Sequence, residues 1–233
     1  MELLMGEHSL LITILCIAGS LLQGIFIYSE YRRNMRAAVC LKGTASLVFV
    51  LIGFIGYLSA GQTNIPRLIL FGLILGAVGD ILLNLRYLAE KKKTFFFIAG
   101  SSAFFAGHIM YLAALFMISD NIMIPVIAGI VVTVIAETLA EMKTIAPLIF
   151  KILGGLYIAA VVFMACMAVS NAVTCCSTER ILFAVGAVLF LISDMVLILN
   201  TFGKEPKMFW SGICLTLYYP GQLLIAIAAG FVL

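Results

Sequence analysis

The chain has 233 residues, 64% of them hydrophobic and 11% charged, with a formal net charge of +3. A soluble domain carries about 25% charged residues, so this composition excludes an aqueous globular fold and leaves no length for a second, water-soluble domain. It gives no support to a nucleic-acid partner either, because no basic stripe alternates with exposed aromatics.

A transmembrane helix needs about 20 apolar residues. Apolar runs between polar breaks predict eight such spans, in chain order Leu10–Tyr28, Ala37–Ala60, Leu68–Leu88, Phe95–Ile118, Ile122–Leu139, Ile149–Val169, Ile181–Phe202 and Phe209–Leu233. The first follows Glu2 and Glu7 rather than a basic segment and is about as long as a full span, so it is expected to be retained as a helix and not cleaved as a signal peptide. The fifth is short and ends near Glu137 and Glu141; a re-entrant segment there would leave seven crossings. The fold class expected is all-α, a polytopic transmembrane bundle of eight helices in a single membrane domain.

Basic residues set the orientation, since Lys and Arg accumulate in cytoplasmic connections. The odd-numbered connections carry Arg32, Arg33, Arg36, Lys42, Arg86, Lys91, Lys92, Lys93, Lys143, Lys204 and Lys207, and the even-numbered ones only Arg67 and Arg180. Both termini are therefore expected outside the cytoplasm. The run Lys91-Lys92-Lys93 is first a topology signal, with contact to anionic lipid heads as the alternative. The six cysteines show no metal or redox spacing. Cys16, Cys40, Cys166 and Cys214 are expected to pack as small apolar groups, and a strained vicinal disulfide between Cys175 and Cys176 is the less favoured reading.

An offset of 114 residues superposes Asp80 on Asp194, Gly72 on Gly186, Leu75 on Leu189, Lys93 on Lys207, Phe95 on Phe209 and Gly107 on Gly221, with no gap. His108 then falls on Gln222. This predicts two parallel four-helix repeats, about 1–118 and 119–233. They would be related by a pseudo-two-fold axis along the membrane normal, with polar residues of both halves meeting near it. Parallel repeats also occur in transporters, so the repeat does not select a function.

Ionisable residues inside spans are expensive, at about 2.5–3.5 kcal/mol for Asp at a helix centre on insertion scales. Asp80 and Asp194 lie at matched depth on repeat-related spans, in the half nearer the basic connections, and form the best candidate site pair. Each has a plain alternative as a hydrogen-bonding group that joins helices, and Gly79 and Ser193 beside them permit close helix approach under either reading. His108 and Tyr111 share a helix face, as do Tyr218 and Gln222. Tyr219 points about a quarter-turn round from Tyr218. With only His8 and His108 in the chain, a three-histidine zinc site is unavailable, so no metal and no cofactor is expected. Lys42, at the start of the second span, serves either as a snorkelling anchor or as the partner of a lipid phosphate. Nucleophile-elbow, P-loop and dinucleotide motifs are absent from the sequence.

Taken together these residues resemble the YhhN family of membrane lysoplasmalogenases. The matching pieces are Lys42, Leu75–Asp80, the segment AFFAGHIMY at 103–111, Tyr157 with Met164, the segment GAVLFLISD at 186–194, and YYPGQLL at 218–224. Gly43 departs from the pattern, which usually has Pro after the lysine. The resemblance implies an eight-span protein of a bacterial cytoplasmic membrane that cleaves the vinyl ether bond of a lysophospholipid to a fatty aldehyde and a glycerophospho-head group. Its partners would be that substrate and membrane lipids. Vinyl ether hydrolysis calls for a carbon-protonating acid and a carboxylate that stabilises an oxocarbenium ion or activates water, as in a glycosidase pair. Asp80 is expected as the acid and Asp194 as the base. His108, Tyr111, Ser193, Tyr218, Tyr219 and Gln222 would surround substrate and water, and Lys42 would take the phosphate. The alternative function is a proton-coupled small-solute or lipid transporter that uses the same carboxylates.

Overall fold

A computed structural model describes residues 2–205 and 207–230 of the chain, with side chains from residue 8 onward. Among the described residues there are eight α-helices and no strand: α1 (Glu2–Tyr31), α2 (Met35–Ser59), α3 (Asn64–Leu85), α4 (Lys93–Met117), α5 (Met123–Lys143), α6 (Leu148–Thr174), α7 (Thr178–Thr201) and α8 (Met208–Ala228). The end of the eighth expected span, 231–233, lies outside the described residues.

All eight are long and apolar enough to cross a membrane, and the protein is a multi-pass membrane protein. The eight-span expectation holds at the fifth span, and the re-entrant alternative is set aside. Met123–Lys143 is an unbroken helix of 21 residues, about 30 Å of rise, and Glu137 and Glu141 belong to its last turns. The physical reason is that lipid offers no partner for backbone N–H and C=O groups, so an apolar segment of this length satisfies them within one helix. Pro125 falls in the first turn of α5 and Pro66 in that of α3, where an absent N–H costs nothing. Asn34 caps α2 by accepting from the Ala37 backbone N–H. Gly61, at φ +69°, turns the chain out of α2.

Helices α1 and α5 are peripheral. Helix α1 packs on α2 and α8, and α5 on α6 and α7, while the other six surround the core. Large aliphatic side chains stay exposed along the outer faces of both, including Ile14, Ile17 and Leu21 on α1 and Ile127, Ile130 and Val134 on α5. Such a surface is that of a helix bundle solvated by lipid.

Two tight helix pairs, α3 with α4 and α7 with α8, form the centre, and their contacts recur at the 114-residue offset. Gly107 backs onto the Gly72 carbonyl as Gly221 backs onto that of Gly186. Gly72 faces the Tyr111 ring as Gly186 faces Ile225, and Gly79 faces the Gly100 carbonyl where Ser193 bonds the Cys214 carbonyl. The pairing of α2 with α8 likewise has its counterpart in α6 with α4. Small residues let the backbones approach, which in a bilayer substitutes dispersion contacts for the missing hydrophobic drive.

Polar groups also join helices away from the centre. Near the α4–α5 connection, the Ser119 hydroxyl donates to Asn171 Oδ1 (2.7 Å) and Asn171 Nδ2 donates to the Leu115 carbonyl (3.1 Å). At the opposite end the α5–α6 and α7–α8 connections meet: the Ile145 N–H donates to the Phe202 carbonyl at 2.7 Å. The Phe97, Phe150 and Phe202 rings cluster beneath them. Cys175 and Cys176 are exposed free thiols, which sets aside the vicinal disulfide.

Candidate active site

Asp80 reaches the centre of the bundle from the C-terminal half of α3, and Asp194 does the same from α7. Both are buried, and both line one cavity of about 240 Å³. Its walls are the C-terminal parts of α3 and α7, the N-terminal parts of α4, α6 and α8, and Phe26, Glu30 and Lys42 from α1 and α2. Every one of these segments lies at the end of the bundle that carries the odd, basic connections. The lining stops at the level of Asp80, Tyr157, Asp194 and Tyr218. Ile98 on α4 and Leu153 and Leu156 on α6 line the cavity and keep much of their surface accessible, so its apolar side is open rather than enclosed.

The two carboxylates are held differently. Asp80 Oδ2 accepts from the Ser46 hydroxyl at 2.5 Å and from the Tyr218 hydroxyl at 2.8 Å. Lys42 Nζ lies 3.3 Å from Asp80 Oδ1, close enough to pair charges although no aligned hydrogen bond forms. Its ammonium also sits 4.2 Å from the centre of the Tyr218 ring and 5.3 Å from that of Phe26. Lys42 and Ser46 share one face of α2 at the i, i+4 spacing, which is why a single helix supplies both contacts.

Asp194 Oδ2 accepts one short bond, from the Tyr157 hydroxyl at 2.5 Å. His108 Nε2 stands 3.9 Å from the same oxygen and 3.4 Å from the Tyr157 oxygen. With the Tyr157 proton directed at Asp194, the Tyr157 oxygen is left to accept from Nε2–H. His108 Nδ1 then faces the Met164 sulfur at 3.4 Å. No ammonium or guanidinium lies within ion-pair distance of Asp194 among the described residues. Phe104, Phe190 and Tyr218 make an aromatic wall beside the pair, with ring centres 5.2–6.2 Å apart.

Of the residues singled out by sequence, Lys42, Asp80, Ser193, Asp194 and Tyr218 line the cavity. Lys42 is no snorkelling anchor: it is buried because an oppositely charged partner inside the bundle offsets its desolvation. Ser193 contributes to the wall, but its hydroxyl is donated to the Cys214 carbonyl and ties α7 to α8. His108, Tyr111 and Gln222 stand behind the wall. The Tyr111 hydroxyl donates to Gln222 Oε1 (3.1 Å) and Gln222 Nε2 donates to the Tyr218 oxygen (3.4 Å), which aims the Tyr218 proton at Asp80.

Tyr219 is not brought to the cavity. It is buried with its hydroxyl on the Ala45 carbonyl at 2.9 Å, the consequence of its quarter-turn offset from Tyr218. Ser46, Glu30, Asn84 and Arg86 were missed. Ser46 could have been found by its spacing from Lys42; the others carry no signal until helix ends are placed. Tyr157 entered only as a piece of a family pattern, and the structure gives it a carboxylate to hold. Among the described residues no three His, Cys, Asp or Glu side chains converge on a metal-sized site.

Fold and site together define a polytopic α-helical membrane protein with a paired-carboxylate cavity at one end of its bundle. Residues 37–229 match the YhhN family model, and the chain belongs to the YhhN family. No curated protein and no solved structure matches the chain.

Proposed function

We propose that the protein is a membrane hydrolase that cleaves the vinyl ether bond of a lysophospholipid, releasing a fatty aldehyde and a glycerophospho-head group. The observation that carries this reading is the unequal pair. Two buried carboxylates share one largely apolar cavity whose apolar side is open, and only one of them has a cation beside it. Family membership supports the same reading.

Lys42 supplies the charge that balances an ionised Asp80, so the charge arrangement favours the opposite division of labour from the one expected from sequence. Asp194 is the acid: Tyr157 occupies Oδ2, leaving Oδ1 to carry the transferable proton. That proton passes to the β-carbon of the vinyl ether and leaves an oxocarbenium ion, which the Asp80 carboxylate stabilises. Water adds to the cationic carbon and gives a proton to Asp80, forming a neutral hemiacetal. On collapse, Asp80 protonates the departing glycerol oxygen while the hemiacetal hydroxyl returns its proton to Asp194. The products are aldehyde and alcohol, and both carboxyl groups end as they began.

The test is aldehyde release by the purified protein from a vinyl ether lysolipid, with the 1-acyl ester analogue as control. Ester cleavage has no carbon-protonation step, so the ester should turn over poorly. Absence of aldehyde from every vinyl ether head group, with proton-coupled uptake in sealed vesicles, would replace this reading with the transporter.

A further inference from the structure

Two charged side chains at the cavity mouth remain outside the mechanism. Arg86 follows the last turn of α3 and lines the cavity. Its Nη2 donates to the Tyr87 hydroxyl at 2.7 Å, and its guanidinium carbon lies 4.7 Å from the Tyr87 ring centre and 5.4 Å from that of Phe97. The planar group is thereby fixed in position, yet its buried Nε has no hydrogen-bond partner. Glu30, in the last turn of α1, lines the same cavity and is half-buried. It makes no ion pair within 4 Å, with Arg86 or with any other cation, among the described residues. Lys42 and Arg86 act on Glu30 at longer range without touching it, and a partly desolvated cation and anion that line one cavity without direct contact are better compensated when a ligand bridges them.

We propose that Arg86 and Glu30 form a reader for a zwitterionic head group, Arg86 taking the phosphate and Glu30 the ammonium two carbons beyond it. The proposal rests on the reading of the cavity as a lysophospholipid site. Guanidinium suits a phosphate diester because its planar fork presents several N–H donors to adjacent oxygens. Carboxylate suits an ammonium by charge. This reassigns the phosphate from Lys42, whose ammonium is engaged by Asp80 and enclosed by Tyr218 and Phe26. With the head at the mouth, the ether oxygen is directed inward to the level of Asp80 and Asp194, and the chain can follow the open apolar wall of Ile98, Leu153 and Leu156.

The experiment measures binding of saturated 1-O-alkyl lysolipids, which lack the vinyl ether and are not turned over, to purified wild-type protein and to Arg86→Gln and Glu30→Gln. The probes are 1-O-alkyl glycerophosphocholine, the corresponding phosphate monoester without an ammonium, and 1-O-alkyl glycerol without a phosphate. Arg86→Gln should weaken both phosphate-bearing probes about tenfold or more and leave the glycerol probe unchanged. Glu30→Gln should weaken the choline probe alone and tighten the phosphate monoester. Unchanged binding of the glycerol probe also reports that each variant is folded. Equal changes across all three probes, no change in either variant, or no binding of any probe by the wild type would overturn the proposal. Head-group discrimination as described, combined with no aldehyde release from vinyl ether substrates, would instead retain the reader and overturn the hydrolase.

Discussion

The surroundings of Asp80 and those of Asp194 are two versions of one arrangement. Each carboxylate projects from the first helix of a tight pair, α3 or α7, and is met by a side chain of the helix before it, Lys42 and Ser46 on α2 or Tyr157 on α6. Each is also approached from the last helix of the other half, by Tyr218 on α8 or His108 on α4. The geometry is shared and the charge is not. Asp80 has a cation and two hydroxyl donors; Asp194 has one hydroxyl donor and an imidazole at longer range. Two similar settings that place different groups opposite each carboxyl can divide acid and base roles between chemically identical groups, which is the general way a carboxylate pair is made to work.

The comparison breaks most easily at the carboxylates. Asp80→Asn and Asp194→Asn should each reduce aldehyde release about 10²–10⁴-fold, because an amide neither donates a strong-acid proton nor stabilises an oxocarbenium ion. Near-normal release from both would remove the two-carboxylate mechanism. Stability should separate the two, since Asp80→Asn strands the buried Lys42 ammonium and Asp194→Asn strands no cation. Lys42→Met alone or Asp80→Asn alone should destabilise by about 3–5 kcal/mol, read as a lowered Tm in detergent, and the double variant should recover most of it. Equal melting of the two single Asn variants would contradict the unequal pairing.

The tyrosines sharpen the same contrast. Tyr157→Phe removes the one short bond to Asp194 and should lower kcat about tenfold or more. Tyr218→Phe should cost less, because Ser46 and Lys42 still hold Asp80. The reverse order would mean that Tyr218 acts on substrate and not through Asp80.

At the helix contacts, an added Cβ at Gly186 would lie 2.7 Å from the Gly221 carbonyl oxygen, whereas one at Gly154 meets nothing within 4 Å. Gly186→Ala should destabilise by about 1–3 kcal/mol, whereas Gly154→Ala, which meets no neighbour and gains helix propensity, should leave the Tm unchanged or raise it. The smallest effect on turnover is expected for His108→Gln, which places at 108 the residue found 114 positions further on, at 222. It should lower kcat only a few-fold with KM unchanged, and complete loss of activity would move His108 from positioning Tyr157 to the chemistry itself.

Much of this was legible in the sequence because a bilayer imposes strong local rules. Span number follows from the length of apolar runs, and the cost of an intramembrane charge marks Asp80 and Asp194 without any fold. The glycines at 72, 107, 186 and 221 stood out through their common offset, and the structure gives them a shared purpose, backbone against backbone. Span five was ambiguous because two glutamates near a helix end resemble a break in hydropathy, although a last turn at the membrane surface tolerates them.

What tertiary structure alone decided is which groups face each other across helices. Whether a lysine near a helix start reaches outward to lipid heads or inward to a carboxylate depends on the partner across the gap. For Lys42 that partner is Asp80, 38 positions away in the chain. Tyr218 and Tyr219 are neighbours with the same composition and burial, yet one holds a carboxylate and the other a backbone carbonyl, because 100° of helix rotation separates them. Local sequence sets depth and helical phase; the azimuth of each helix against its neighbours decides which of two buried acids meets a cation.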